Sequence, residues 1–194
     1  MNAQITAIYK KMKHLEEELE DEFTSARVKL NYKIEGKRIL FEKSVAAYHR
    51  SLRKNIYRYF RDSSARHLIT IPVIFPMIVP IAFMDITAVI YQAICFPLYG
   101  IEKVPRSEYI LVDRHKLQYL NIFEKINCAY CGYANGVFGF VAEIGGATEN
   151  YWCPIKHSRR VKRPHPFYHR FVDYGDAMAF RERITRLRQG NFDD

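Results

Sequence analysis

The feature that most constrains this chain is an apolar run of 32 residues, Leu68 to Tyr99, in which Asp85 is the sole charged side chain. A single straight membrane-spanning helix needs roughly 20 residues, so the run is about half as long again. Pro72, Pro76 and Pro80 recur every four residues, although helix interiors tolerate proline poorly. The sequence therefore predicts a membrane segment over residues 68–101, as a re-entrant hairpin turning near Pro80–Asp85 or as one tilted crossing. A buried soluble core is the third interpretation.

Basic residues flank this run on both sides. The net charge of +9 divides into +6 over residues 1–67 and +4 over residues 100–194, around the single negative charge of the run. Such an excess suggests an anionic partner, either lipid headgroups or nucleic acid. Because Lys and Arg near both ends of a membrane segment mark cytoplasmic flanks, we expect membrane localisation with both termini in the cytoplasm. The flanks would then contact anionic membrane lipids, and nucleic acid is the less favoured partner.

Residues 1–67 have the pattern of a charged amphipathic helical region. Apolar residues recur every three or four positions from Ile5 to Phe23, which predicts an amphipathic helix. A second stretch with this spacing runs from Phe41 to Tyr59, and residues 31–36 offer a break between the two. The apolar faces predict packing on the rest of this chain or, as a short coiled coil, on a protein partner or a second copy.

Residues 102–170 contain three cysteines and a histidine with metal-ligand spacing. Two residues separate Cys128 from Cys131, and 21 residues separate Cys131 from Cys153. A two-residue gap lets both thiolates of a tight turn reach one ion, and sulfur and imidazole ligands favour Zn²⁺ or iron. The spacing predicts a zinc site, with iron as the alternative, whose ligands are Cys128, Cys131, Cys153 and His157. The other candidates for the fourth ligand are His115, His165, His169 or an acidic side chain.

Two short segments resemble a known metal-binding family. The sequence Cys-Ala-Tyr-Cys-Gly-Tyr at 128–133 resembles the first knuckle of rubredoxins, and Cys153-Pro154 is similar to the start of their second. The resemblance implies a rubredoxin-like or zinc-ribbon knuckle and, for iron, electron transfer. Lys156 stands where rubredoxins have their fourth cysteine, so a Cys3His zinc knuckle with His157 fits these residues better.

These patterns predict a mainly α protein with a small α+β metal-knuckle domain. The expected order is N-terminal amphipathic helices, a Pro-rich membrane hairpin, the Cys3His-type domain at 102–170, and a C-terminal helix and tail at 171–194. Asp176 is the expected N-cap of that last helix.

Three functions are consistent with the sequence. The first is a membrane-associated, cytoplasmic-facing accessory or interaction subunit that a structural zinc ion stabilises. The second is a rubredoxin-like iron electron carrier to a membrane enzyme. The third is a metal-dependent enzyme on a lipid-borne substrate, in which Glu124, Glu143 or His115 would act on a metal-bound water. No catalytic residue is assigned, and enzymatic activity stays an open question.

Overall fold

The computed structural model describes residues 3–29, 32–35, 38–62 and 64–189 of the chain, which is mainly α-helical. The helices are α1 (Ala3–Lys29), α2 (Lys43–Ser51), α3 (Ile56–Asp62), α4 (Ala65–Ile74), α5 (Ile78–Tyr99), α6 (Arg106–Tyr109), α7 (Ile122–Trp152) and α8 (Ala177–Arg188). Two strands, β1 (Tyr32–Glu35) and β2 (Arg38–Phe41), and short 3-10 helices at Phe75–Met77, Arg114–Lys116 and Pro166–Arg170 complete the described elements.

The chain divides into two compact units, and the first comprises residues 1–64 and 113–129. Its helix α1 confirms the predicted amphipathic helix. The apolar side chains of that helix are exposed to solvent, each by more than half: Ile8, Met12, Leu15, Leu19 and Phe23. The amphipathic pattern thus formed a helix without burying its apolar face.

The second predicted helix, from Phe41 to Tyr59, is wrong in its extent. The chain pairs β1 with β2 as an antiparallel hairpin that places Tyr32 opposite Phe41. Two shorter helices, α2 and α3, follow in place of one. Asn55 explains the break, because its side-chain oxygen accepts a hydrogen bond of 3.0 Å from the Tyr57 backbone N–H and so caps the start of α3.

The second unit comprises residues 65–112 and 130–194. Its core lies between α5 and α7, with Ala88, Phe96, Phe140, Ile144 and Ala147 buried together. Farther toward the start of both helices, Ile81 packs with Ala134 and Val137. Toward their ends, the ring of Tyr99 stacks on Tyr151 with centroids 4.9 Å apart. The two helices therefore run side by side in the same direction.

The predicted hairpin turn near Pro80–Asp85 is wrong. These residues lie within the continuous helix α5, and one helical segment extends from Ile69 to Tyr99. Pro80 falls in the first turn of α5, where the missing N–H breaks no intrahelical bond, and Pro76 lies in the 3-10 helix that joins α4 to α5. The helix ends at Gly100, whose φ of 69° is the left-handed conformation that glycine adopts readily.

The predicted small α+β metal-knuckle domain is also wrong. Residues 102–170, all of which the structure describes, contain helices and connecting segments but no β-strand. Gly136 lies inside α7, where the absence of a side chain allows close packing. A side chain on Gly136 would come within 2.7 Å of the Tyr109 backbone oxygen. Close approach, and not a turn, is the reason for glycine at this position.

The C-terminal helix is confirmed as α8. Asp176 is its N-cap, because its carboxylate accepts a hydrogen bond of 3.0 Å from the Ala179 backbone N–H. Ile184 and Leu187 of this helix are buried, and α8 belongs to the second unit.

Candidate functional site

The helix from Ile69 to Tyr99 has two faces of different character. Its buried positions recur at spacings of three and four residues: Ile81, Asp85, Ala88, Gln92 and Phe96. At 100° per residue, a second set of residues lies on the opposite side and is exposed. We name this set the apolar face; it consists of Ile69, Val73, Val79, Phe83, Ile86, Ile90, Ile94 and Leu98. The helix is long and apolar enough to cross a membrane, and only 17% of its most apolar window is buried.

Asp85 is fixed on the buried face by two partners. The Arg106 guanidinium donates from Nε to Oδ1 at 2.9 Å and from Nη2 to Oδ2 at 2.6 Å. The Tyr133 hydroxyl donates to Oδ2 at 2.8 Å. A carboxylate that receives three hydrogen bonds, two from a cation, keeps its charge inside an apolar helix at a reduced cost. Asp85 therefore connects α5 to Arg106, in the segment that follows it, and to Tyr133 of α7.

The segment that follows α5, residues 100–110, runs back along the buried face of that helix, and we name it the returning segment. The side-chain amide of Gln92 forms hydrogen bonds with both backbone groups of Val104. It accepts from the Val104 N–H at 3.1 Å and donates to the Val104 C=O at 3.4 Å. Arg106 then reaches Asp85, about 10 Å nearer the start of the helix at 1.5 Å per residue. Charged side chains along this returning segment are exposed, among them Glu102, Lys103 and Glu108. The side of the unit away from the apolar face is therefore charged.

A cavity of about 570 Å³ lies within the second unit. The end of α5 and the returning segment form one wall, and α7 and the 3-10 helix Pro166–Arg170 form the others. Its lining consists of Gly100, Ile101, Glu102, Lys103, Val104, Pro105, Tyr109, Glu143, Ala147, Asn150, Tyr151, Phe167 and Arg170. The volume falls in the range of small-ligand sites, and the lining combines apolar residues with a similar share of polar and charged ones.

Two polar side chains of α7 distinguish this cavity. Burial raises the pKa of the Glu143 carboxyl, while nearby His165 and a hydrogen bond with Tyr109 lower it by less. Burial likewise raises the pKa of the Tyr109 hydroxyl.

Asn150 is only 7% exposed, and its Oδ1 atom has no hydrogen-bond partner in the described part of the chain. A buried carbonyl oxygen without a partner costs about 1–3 kcal/mol, and a ligand that donates a hydrogen bond would offset that cost.

The structure does not bring the predicted metal ligands together. Cys128 and Cys131 lie in α7, and Cys153 follows the end of that helix. The 22 residues from Cys131 to Trp152 span about 33 Å of helix, whereas ligands of one zinc ion lie within about 2.3 Å of it. Exposed His157 stacks its ring on Tyr168. Among the described residues, no group of three or more His, Cys, Asp and Glu side chains is placed to hold a metal ion.

Binding of zinc or iron stays a prediction, without the knuckle fold that the spacing suggested. Elemental analysis of the purified chain tests it.

Other candidate residues have structural partners. Glu124 and Asn121 form a capping box at the start of α7: the Asn121 Oδ1 accepts from the Glu124 N–H at 3.0 Å, and the Glu124 carboxylate accepts from the Asn121 N–H at 2.8 Å. His165 pairs with Glu149 at 3.0 Å, and His169 contacts the Pro166 carbonyl oxygen. His115 lies in the 3-10 helix Arg114–Lys116.

Among the residues that line the cavity, sequence reasoning singled out Glu143 and missed the others. Asn150, Tyr109 and Arg170 lie on three different elements and carry no motif that joins them. The partner of Asp85 did have a signal. A carboxylate inside an apolar run needs a nearby cation, and Arg106 is among the first that follow the run.

Comparison with protein-family models, with curated proteins and with solved structures finds no significant match to this sequence or this fold.

Proposed function

We propose that this protein is a membrane-associated accessory or interaction subunit that lies on the cytoplasmic surface of a bilayer. The observation that carries the proposal is the apolar face of α4–α5, which is exposed although the opposite face of the same helix is held to its own unit through Asp85 and Gln92. An exposed apolar patch of this extent is typical of a membrane or protein interaction site.

Two observations support a helix in the plane of the membrane over one that crosses it. A straight helix from Ile69 to Tyr99 is about 46 Å long, whereas the hydrocarbon core is about 30 Å thick. In a perpendicular crossing, the charged segment that returns along α5 would enter that core. Each exposed charge there costs about 2.5–3.5 kcal/mol by insertion scales. An in-plane helix immerses the apolar face and leaves Lys103, Arg106 and Glu108 on the aqueous side.

Aromatic and basic groups at the end of the apolar face fit the same placement. Tyr99, Tyr151 and Trp152 form one cluster there, and Trp152 is 48% exposed. Rings of this kind favour the headgroup layer. A short distance along the chain, an exposed basic group follows, formed by Arg159, Arg160, Lys162 and Arg163. These cations supply attraction to anionic headgroups, at about 1 kcal/mol each near the surface.

The partner-binding part of the proposal rests on α1 of the first unit, for which we propose a second copy of this chain as the occupant. The apolar residues of α1 are exposed to solvent, and its basic and acidic residues lie in separate blocks. Lys10, Lys11 and Lys13 precede a block of acidic residues at 16–22. If two copies of α1 packed in parallel, each charged block would lie beside the same block of the other copy. If they packed antiparallel with Leu15 at the centre, the lysines of one copy would lie beside the carboxylates of the other.

Vesicle flotation of the full chain tests the membrane proposal. The variant Phe83→Ser/Ile90→Ser makes the centre of the apolar face polar and leaves the buried face of α5 intact. We expect it to lose binding to vesicles containing anionic lipid, with an unchanged circular dichroism spectrum. The matched control is Met178→Ser, which changes another exposed apolar residue, on α8. Full vesicle binding by the double variant, or loss in the control as well, would contradict the proposal.

Topology is tested separately with tags at both ends in sealed inside-out vesicles. An in-plane helix leaves both tags open to added protease. Protection of one tag alone would establish a crossing and reject the in-plane arrangement.

A further inference from the structure

We propose that the cavity between the returning segment and α7 binds the headgroup of a phospholipid that bears a primary ammonium group, of the phosphoethanolamine type. The ammonium group would donate to Asn150 and Glu143, and the phosphate would lie between Lys103 and Arg170. In its lipid form this inference rests on the proposed membrane association, and it names the lipid that the protein selects at the surface.

Asn150 is the strongest indication of a ligand. Its side chain lines the cavity, is 7% exposed and has an Oδ1 atom without a partner in the described residues. Buried carbonyl oxygens are otherwise almost always hydrogen-bonded. An acceptor in that situation selects a ligand with an N–H or O–H donor. Glu143, two turns of α7 closer to the N-terminus and partly buried, adds a second acceptor to the same lining.

The charges of the lining select a zwitterion. Four ionisable side chains of Glu, Lys and Arg line the cavity, two acidic and two basic. Lys103 and Arg170 are exposed, so they can meet a phosphate that arrives from the surface, whereas Glu143 and Asn150 lie deeper. Guanidinium and ammonium groups are the usual protein partners of a phosphate. A headgroup with one phosphate and one ammonium group matches both sets and adds no net charge.

The position of the cavity explains why a membrane lipid would reach it. Gly100 and Ile101, the first lining residues, directly follow the end of α5 and therefore the end of the apolar face. Tyr151, another lining residue, belongs to the aromatic cluster with Tyr99. A helix lying in the headgroup layer would bring this cavity to the depth of the lipid phosphates.

The decisive comparison is between ethanolamine and choline headgroups, which share the phosphate and the net charge but differ in N–H donors. Binding of glycerophosphoethanolamine and glycerophosphocholine to the full chain in detergent is measured by calorimetry. Flotation is measured with vesicles of either lipid at equal anionic content. We expect the ethanolamine forms to bind tighter by roughly tenfold or more, because choline leaves the buried acceptor unpaired.

Asn150→Leu tests the assigned acceptor. The Asn150 side chain makes no hydrogen bond to another described residue, so we expect the variant to fold. We expect its preference for the ethanolamine headgroup to disappear. The control, Asn135→Leu, changes an exposed asparagine of the same helix that bonds the Cys131 carbonyl oxygen. Lys103→Gln, at an exposed position, should weaken both headgroups equally and keep their ratio.

The outcomes separate this inference from the proposed function. Loss of vesicle binding with retained selectivity for soluble glycerophosphoethanolamine would reject the membrane proposal and keep the site. Equal binding of the two soluble headgroups, or a preference that Asn150→Leu leaves intact, would overturn the site even if the protein floats with vesicles.

Discussion

The Arg106 guanidinium contacts both carboxylate oxygens of Asp85, a residue 21 positions earlier on the buried face of α5. The Asp85 side chain is 7% exposed and that of Arg106 is 44% exposed, so the pair joins a buried anion to a cation at the surface. This relationship fixes the returning segment to the helix. It also determines which face of α5 remains exposed.

Removing the cation should destabilise the second unit more than removing both charges. Arg106→Met leaves the Asp85 carboxylate buried with only Tyr133 as partner. We expect the free energy of unfolding to fall by about 2–3 kcal/mol. This is less than the usual cost of breaking a fully buried pair, because Arg106 is partly exposed. Asp85→Asn/Arg106→Met retains an acceptor for Tyr133 and should recover most of that loss. Denaturant unfolding in detergent measures both. A double variant less stable than the single one would contradict this explanation, and exposed Arg163→Met is the control.

Two glycines of α7 should respond oppositely to alanine. A Cβ on Gly136 would lie 2.7 Å from the Tyr109 backbone oxygen and 2.8 Å from the Ile110 Cα atom, so Gly136→Ala must displace backbone. We expect a loss of about 1–3 kcal/mol in the free energy of unfolding. At Gly145 nothing lies within 4 Å of the added atom, and helix propensity alone should stabilise Gly145→Ala by roughly 0.5–1 kcal/mol. Equal effects at the two positions would show that the returning segment does not pack there.

The raised pKa of Glu143 makes stability fall as pH rises. Between its ordinary value of 4.5 and the raised folded value, the folded chain binds more protons than the unfolded chain. The free energy of unfolding therefore decreases through that window and stays lower above it. Glu143→Gln cannot ionise, so we expect it to be more stable than the wild type at about pH 8 and nearly equal at about pH 4. Thermal unfolding at the two pH values measures the difference, with exposed Glu108→Gln as control; a variant less stable at the higher pH would refute the assignment.

Self-association through α1 should depend on one side of that helix. Leu15→Glu/Leu19→Glu puts carboxylates on the exposed apolar side, and we expect the full chain to change from dimer to monomer by light scattering. Val28→Glu is the matched control, since Val28 is 73% exposed and lies on the opposite side of α1. A wild-type chain that is monomeric, or a control that dissociates equally, would reject the second copy as the partner. Raising the salt concentration should weaken the pairing, because it screens the lysine and carboxylate blocks.

Local patterns predicted the helices whose signals lie within a few residues. The three-and-four spacing of α1, and Asp176 three residues before the Ala179 N–H it caps, are properties of one short stretch. The Cys128–Cys131 spacing is equally local, yet the knuckle fold that it suggested is wrong, because both residues lie in α7. A two-residue gap fits a metal knuckle, and it also fits two neighbouring positions on one face of a helix.

The sequence by itself determined an amphipathic N-terminal helix, an apolar segment flanked by cations, and a capped C-terminal helix, because periodicity, charge and capping act between near neighbours. Only the tertiary structure decided that Asp85 pairs with Arg106, that Gly136 serves close packing, and that Asn150 lines a cavity with Lys103 and Arg170. Those relationships depend on α5, the returning segment and α7 lying side by side. The contacts join residues far apart in the chain, and no spacing along it records them.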